Sequence, residues 1–290
     1  MRFATIRKGH TIAHANMDSR EMDKNVKTSM SVSEGHTLAA LMPIATIPKG
    51  LTTVHVNLDS LGVEENAREL PRVKKFITCK SNVSGVVTLL VDSQPLSVFC
   101  HMGNFGCGDG GWTPVMKIDC RETTFRYRAC YWNNYDEFNL RGGETGFDEQ
   151  ESKLPTYWNT SFSKICLGMK INQQLRFIVI NRLADSLHSI IADGQYRNTS
   201  LGRDEWKKLI GSNASLDHNC NKEGFNAFCG TSYRSKVRIG IVSNDQNECH
   251  SCNSLIGFGI RSPPNDAKSC GNKARKGRKS IKAMGYILVQ

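Results

Sequence analysis

Eleven cysteines in 290 residues constrain the fold of this chain more than any other feature. Ten lie between Cys100 and Cys270, and Cys79 stands just upstream. Clustering in one region reads as cross-linking in an oxidising compartment, where thiols are not kept reduced. An odd total leaves one thiol free or pairing between chains, so a disulfide-linked or non-covalent oligomer stays open. Spacing alone fixes no connectivity. Cys249-His250-Ser251-Cys252 has the two-residue spacing with which a thiolate pair grips zinc. A second such pair is missing, and His218 with Cys220 is a poor substitute, so these thiols too are read as disulfide-bonded.

The length suits one or two domains with a sizeable core. No apolar run approaches the roughly 20 residues that span a bilayer, so no membrane span is expected. The stretch Met1 to Lys8 is basic but is followed by no apolar h-region, so it does not read as a signal peptide. With the cysteines pointing outside the cell, the reading is a secreted protein whose amino end is incomplete here. Charge is unevenly placed. Of the net charge of +11, seven units come from Lys268, Lys273, Arg275, Lys276, Arg278, Lys279 and Lys282, with no acid among them. Within this basic segment, 268–282, Lys273, Arg275, Lys276, Arg278 and Lys279 are the candidates for binding sulfated glycans or other polyanions; the simpler alternative is a solvated loop. Nucleic acid is not expected, because these residues lack interleaved aromatics and the cysteines argue for an extracellular home.

Residues 1–74 are polar, with no sustained period, and read as a poorly structured arm; Leu51 to Leu61 alternates weakly. Residues 75–290 read as one domain. Val86 to Val91 and Arg176 to Ile180 are apolar runs of strand length, and Val237, Ile239 and Ile241 alternate as in a half-buried strand. Ala283 to Val289 reads as a buried final strand. Asp204 and Glu205 suit a helix start, Trp206, Leu209 and Ile210 share a face, and Gly211 sits at the stop. The expected class is α+β, with mostly antiparallel twisted sheets, few short helices, long loops and disulfide bonds.

One turn is more specific. Leu96 to Phe99 and Val115 to Ile118 carry strand residues on either side of Cys100-His101-Met102 and Gly108-Asp109-Gly110-Gly111-Trp112-Thr113. Glycines at 108, 110 and 111 permit close backbone approach, so that the tryptophan can pack. Together with Cys79 and Ser84-Gly85-Val86, this stretch resembles the opening of a fibrinogen C-terminal-like domain. The resemblance implies a Cys79–Cys100 disulfide and an extracellular recognition or matrix role. The acidic calcium loop and the late tryptophan-rich segment of those domains are absent. A narrower likeness extends over residues 79–290. Lys153-Leu154-Pro155-Thr156-Tyr157-Trp158-Asn159-Thr160, Ile191-Ala192-Asp193-Gly194-Gln195-Tyr196-Arg197 and Ala283-Met284-Gly285-Tyr286-Ile287-Leu288-Val289-Gln290 are similar to the coral group of uncharacterized skeletal organic matrix protein 5. That likeness implies a secreted protein, in some members recovered from mineralised skeleton. Cys120 and Cys130 stand where that group has no cysteine, which leaves their redox state open.

Asn244-Asp245-Gln246-Asn247-Glu248 is oxygen-rich and follows a strand. Calcium takes six to eight oxygens, and two carboxylates are few; such loops are usually turns. Related lectins of the fibrinogen and intelectin type use calcium in this region, so Asp245, Asn247 and Glu248 are the calcium candidates. Glycan acceptors occur at Asn82, Asn159, Asn198 and Asn213, a number close to chance. The four tryptophans are read as core anchors rather than sugar platforms. No nucleophile elbow, His-Glu-x-x-His or phosphate loop is present, so no catalysis is expected. The expected function is a secreted, non-catalytic matrix protein that binds extracellular glycans or proteins, within an organic matrix such as that of a skeleton. The alternative is a calcium-dependent lectin of innate defence.

Overall fold

The computed structural model describes residues 2–8, 11–17, 78–80, 83–230, 235–261, 268–274 and 280–290. It divides into two units, Met1–Arg72 and Val73–Gln290. In the first, β1 (Arg2–Lys8) and β2 (Thr11–Met17) pair antiparallel, with Arg2 opposite Met17 and Lys8 opposite Thr11. The arm expected over 1–74 carries this one hairpin among its described residues. The alternation at Leu51 to Leu61 lies outside them.

The second unit begins with a hairpin of β3 (Gly85–Val91) and β4 (Gln94–Met102), followed by β5 (Gly111–Asp119). Next come β6 (Ser152–Lys153), the short helix α1 (Thr156–Asn159), β7 (Phe162–Ile171) and β8 (Gln174–Ala184). Two helices follow, α2 (Leu187–Ile191) and α3 (Arg203–Lys208). The chain then forms β9 (Asn219–Phe228), β10 (Lys236–Asn244), β11 (Ser254–Arg261), β12 (Cys270–Lys273) and β13 (Met284–Val289). Asp92-Ser93 and Asn172-Gln173 close the β3–β4 and β7–β8 hairpins with positive φ at both residues, the requirement of a type I′ turn.

All strand pairs among the described residues are antiparallel. The larger sheet runs β3-β4-β5-β13-β7-β8, with β6 added on β5; the smaller runs β12-β11-β10-β9. Val115, Ile165, Leu167 and Ile287 of the large sheet share one fully buried core with Phe225, Ile239, Ile241, Ile256 and Phe258 of the small one. Trp206 and Leu209 at the end of α3 and Ile191 of α2 complete it. Each such side chain contributes about 1.5–3 kcal/mol by leaving water. Both sheets are also covered on their outer faces: Trp112, Tyr286 and Leu288 form one outer cluster, and Ala227, Val237, Val242 and Leu255 another. The half-buried pattern expected for β10 therefore fails beyond Arg238. Ile239 to Asn244 are buried on both faces because clusters lie on either side.

Four glycines cross the small sheet in one row. Gly224 pairs with Gly240, Gly240 with Gly257, and Gly257 with Gly271. A Cβ at these positions would lie 2.0 Å from the Arg197 oxygen, 2.2 Å from Ile256 O, 2.3 Å from Ile239 O and 2.4 Å from Ile281 O, respectively. A bare backbone is what lets the neighbouring chains approach this closely.

Five disulfides are formed: Cys79–Cys100, Cys107–Cys166, Cys120–Cys270, Cys220–Cys249 and Cys229–Cys252. Cys120 follows β5 and Cys270 opens β12, so their bond ties the two sheets together. Cys130 is free and exposed. Because Cys249 and Cys252 have different partners, the thiolate pair of a zinc half-site does not exist here. Among the described residues no helix is long and apolar enough to cross a membrane.

Candidate functional site

Cys79 and Cys100 meet beside the glycine turn, with Cα atoms 5.6 Å apart. A Cβ on Gly111 would sit 2.2 Å from Cys79 O, and the Cys79 amide donates to Thr113 Oγ1 at 3.0 Å. Trp112 is fully buried, its indole N–H donating to Gly108 O at 3.2 Å. Trp132 and Trp206 are fully buried too, which makes all three core anchors.

The oxygen-rich loop spends its carboxylates on itself. Asp245 Oδ1 accepts from Asn253 Nδ2 at 2.7 Å. Glu248 accepts from Asn244 Nδ2 (2.7 Å), from the Ser251 hydroxyl and from the His250 amide (2.6 Å). These bonds, the Ser251 hydroxyl first, hold the Glu248 carboxyl below its ordinary pKa. Asn247 is exposed at the tip. Among the described residues, no three His, Cys, Asp or Glu side chains converge as a metal site. Of the glycan acceptors, Asn198 and Asn213 are exposed. Asn159 is half-buried and donates to Asp92 at 2.8 Å. Asn82 lies outside the described residues, as do Arg275, Lys276, Arg278 and Lys279; Lys273 is half-buried at the end of β12.

A different basic surface is assembled at the start of β10, where cations and aromatic rings alternate. Arg238 lies 4.4 Å from the Tyr127 ring centre, and Lys236 lies 5.6 Å from the same ring. Lys236 is also 4.9 Å from Phe228, which Lys222 approaches at 4.6 Å, and Lys222 in turn lies 4.4 Å from Tyr196. Three cations and three rings thus form one continuous ladder. Strand register builds it: Lys236 pairs with Phe228 on one side and Arg261 on the other. The Tyr127 amide donates to Ile260 O at 3.1 Å, which seats its loop against β11. Arg238 is held by Tyr127 O and Asn226 Oδ1, both at 2.9 Å. Gly259, at φ +58°, leaves room for the Arg238 stem, which a Cβ would meet at 2.5 Å.

Ion pairs do not neutralise this surface. Among the described residues, no carboxylate pairs with Lys222, Lys236 or Arg238 within 4.0 Å. The nearby Glu223 is occupied, accepting from Thr199, Leu201, Gly202 and Trp206 at the start of α3. Burial, and then the charges of Arg261, Arg128 and Arg238, push the Lys236 ammonium below its usual pKa. Arg126 and Arg128 line an adjoining open depression of about 410 Å³ with Thr123, Thr124, Cys130 and Tyr131. A cation over a ring contributes roughly 0.5–1 kcal/mol at an exposed site, so the rings hold the cations in place without the direct carboxylate contact of an ion pair among the described residues.

Among the buried ionisable groups, Lys153 and His101 have the most strongly lowered pKa values of the Lys and His side chains. Lys153 is fully buried; its ammonium donates to Asn134 O (2.9 Å) and Asn134 Oδ1 (3.0 Å) and faces the Tyr157 and Trp158 rings at 4.9 and 5.1 Å. Burial lowers its pKa to about 8 against the opposing pull of Asp136 and Cys130. An amine sealed in this way is out of reach of a substrate. His101 stacks on Phe147 at 3.9 Å. Burial, and then the Lys117 charge, lower its pKa to about 4. Lys117 itself is bound by Asp148, Thr145 and Gly146 O.

Sequence reasoning singled out a different basic stretch, 268–282, four of whose five candidate residues lie outside the described ones. Lys222, Lys236 and Arg238 come from two strands, and Tyr127 from a loop about a hundred residues earlier; the one local signal is Lys236-Val237-Arg238 beside Phe228. No family model matches the chain, and it matches none of the curated proteins.

Proposed function

We propose that this chain is a secreted, non-catalytic binding protein of fibrinogen C-terminal-like type that adheres to acidic components of an extracellular matrix. The carrying observation is the ladder of Lys222, Lys236 and Arg238 with Tyr196, Phe228 and Tyr127, whose cations have no carboxylate within ion-pair distance among the described residues. Rows of sulfate or carboxylate on a glycan supply the missing charge, and sugar faces supply apolar surface for the rings. The five disulfides support an oxidising location. The Cys79–Cys100 bond beside the buried Trp112 supports the fibrinogen-like reading of the hairpin.

Retention on immobilised heparin tests the reading. The protein is expected to bind and to elute with salt, and a Lys222→Gln/Lys236→Gln variant to elute earlier. The slope of log affinity against log salt should fall by about one per lysine removed. Neutralising Lys273, Arg275, Lys276, Arg278 and Lys279 should change little. If that second variant alone abolishes binding, the site lies in the basic segment and the ladder is not the contact. Binding lost on chelation would favour the lectin reading, with Asp245, Asn247 and Glu248 as its calcium ligands.

A further inference from the structure

The chain is 22% charged, yet residues 83–102 contain one ionised side chain, Asp92 at the hairpin turn. The remaining ionisable group there, His101, is buried. This uncharged stretch is the β3–β4 hairpin, and β3 ends the large sheet. Only His101 and Met102 of β4 pair with β5, so most of the hairpin is a two-stranded ribbon. One face of the ribbon is committed: Leu89, Val91, Leu96 and Val98 pack with Leu154 and Leu140. The opposite face of β3 is open, with Val86 56% and Leu90 52% exposed on either side of Thr88. Edge strands are normally blunted by lysine, proline or a bulge. β3 has none of these, and its register with β4 is unbroken from Gly85 to Val91.

Its pattern is symmetric about Thr88. An antiparallel second copy centred there places Val86 opposite Leu90 twice, Val87 opposite Leu89 twice, and the two Thr88 side chains together on the two-fold axis. Apolar and Thr–Thr cross-strand pairs are favourable, and an isologous contact closes at two copies. Charge favours the same partner: copies of a chain with net charge +11 repel over most of their surface, and this strip adds nothing to that repulsion. We propose that β3 pairs edge to edge with β3 of a second copy of this chain, joining two large sheets into one across a two-fold axis. The pairing is independent of the ligand reading.

Sedimentation velocity of the full chain carrying Cys130→Ser, which removes any intermolecular disulfide through that thiol, tests the proposal. A reversible dimer is expected. Thr88→Lys sets two ammonium groups face to face and should raise the dissociation constant at least tenfold, as should Val86→Lys. Thr88→Val should keep the dimer, and Leu183→Lys on β8, the opposite edge, should leave it unchanged. A monomer at every concentration, growth beyond two copies, or a dimer indifferent to Thr88→Lys overturns the proposal. Near-UV circular dichroism checks that the variants fold. Should both lysine variants unfold, the β3 face is not open and the proposal falls.

Discussion

An ammonium group locked among rings, as at Lys153, makes stability depend on pH in a defined direction. The unfolded chain holds that proton up to pH 10.5, whereas the folded protein releases it near pH 8. Between those values the unfolded state binds more protons, so raising the pH favours the fold, by on the order of 3 kcal/mol across the window. Urea unfolding at pH 8 and 10.5 should show this rise, and Lys153→Met should show a smaller one, the remainder coming from other lysines of lowered pKa such as Lys117 and Lys236. His101 acts at the acid end. Neutral among Phe99, Phe105, Phe147 and Lys117, it takes a proton near pH 4 when folded and near pH 6.5 when unfolded. Stability should therefore drop as the pH falls from 6.5 to 4, again by on the order of 3 kcal/mol. His101→Phe should flatten that part of the curve, and equal acid sensitivity in variant and parent would count against the assignment. The sequence gives no warning of either group, because what shifts a pKa is the enclosure that folding builds.

Elements divide according to how local their signals are. The helix α3 was legible because Asp204, Glu205 and Trp206 fall within its turns, but it stops earlier than expected, at Lys208 with Leu209 as its C-cap, and Gly211, at φ +84°, lies in the turn that follows. The strands at Val86 to Val91, Arg176 to Ile180 and Ala283 to Val289 were legible from their apolar runs. The glycine row was not, since its members are 14 to 17 positions apart and only strand register aligns them. The ladder was hidden for the same reason. The row makes a direct prediction at this scale. Gly240→Ala should cost about 2–4 kcal/mol by driving a methyl into Ile256 O. The melting temperature should report it, whereas Gly194→Ala, where nothing lies within 4 Å of the added Cβ, should lose much less, its φ of +72° being the only strain.

For the whole molecule, the disulfides rank by the length of chain they close. Cys120–Cys270 spans 150 residues and joins the sheets, while Cys79–Cys100 spans 21 within one region. Loop-closure entropy assigns them about 5 and about 3 kcal/mol. Replacing both cysteines of each pair by alanine should lower the melting temperature more for the first, and the reverse order would show that local packing, not chain closure, sets their worth. Alkylation of the native protein should label Cys130 alone. Cysteine count and clustering were readable from the sequence, but the partners became definite only once the sheets set the distances. The four-glycine row also bears on descent. No rung can acquire a side chain unless the backbone beside it retreats, so distant kin should retain glycine at intervals of 16, 17 and 14 positions after their surfaces have drifted beyond recognition.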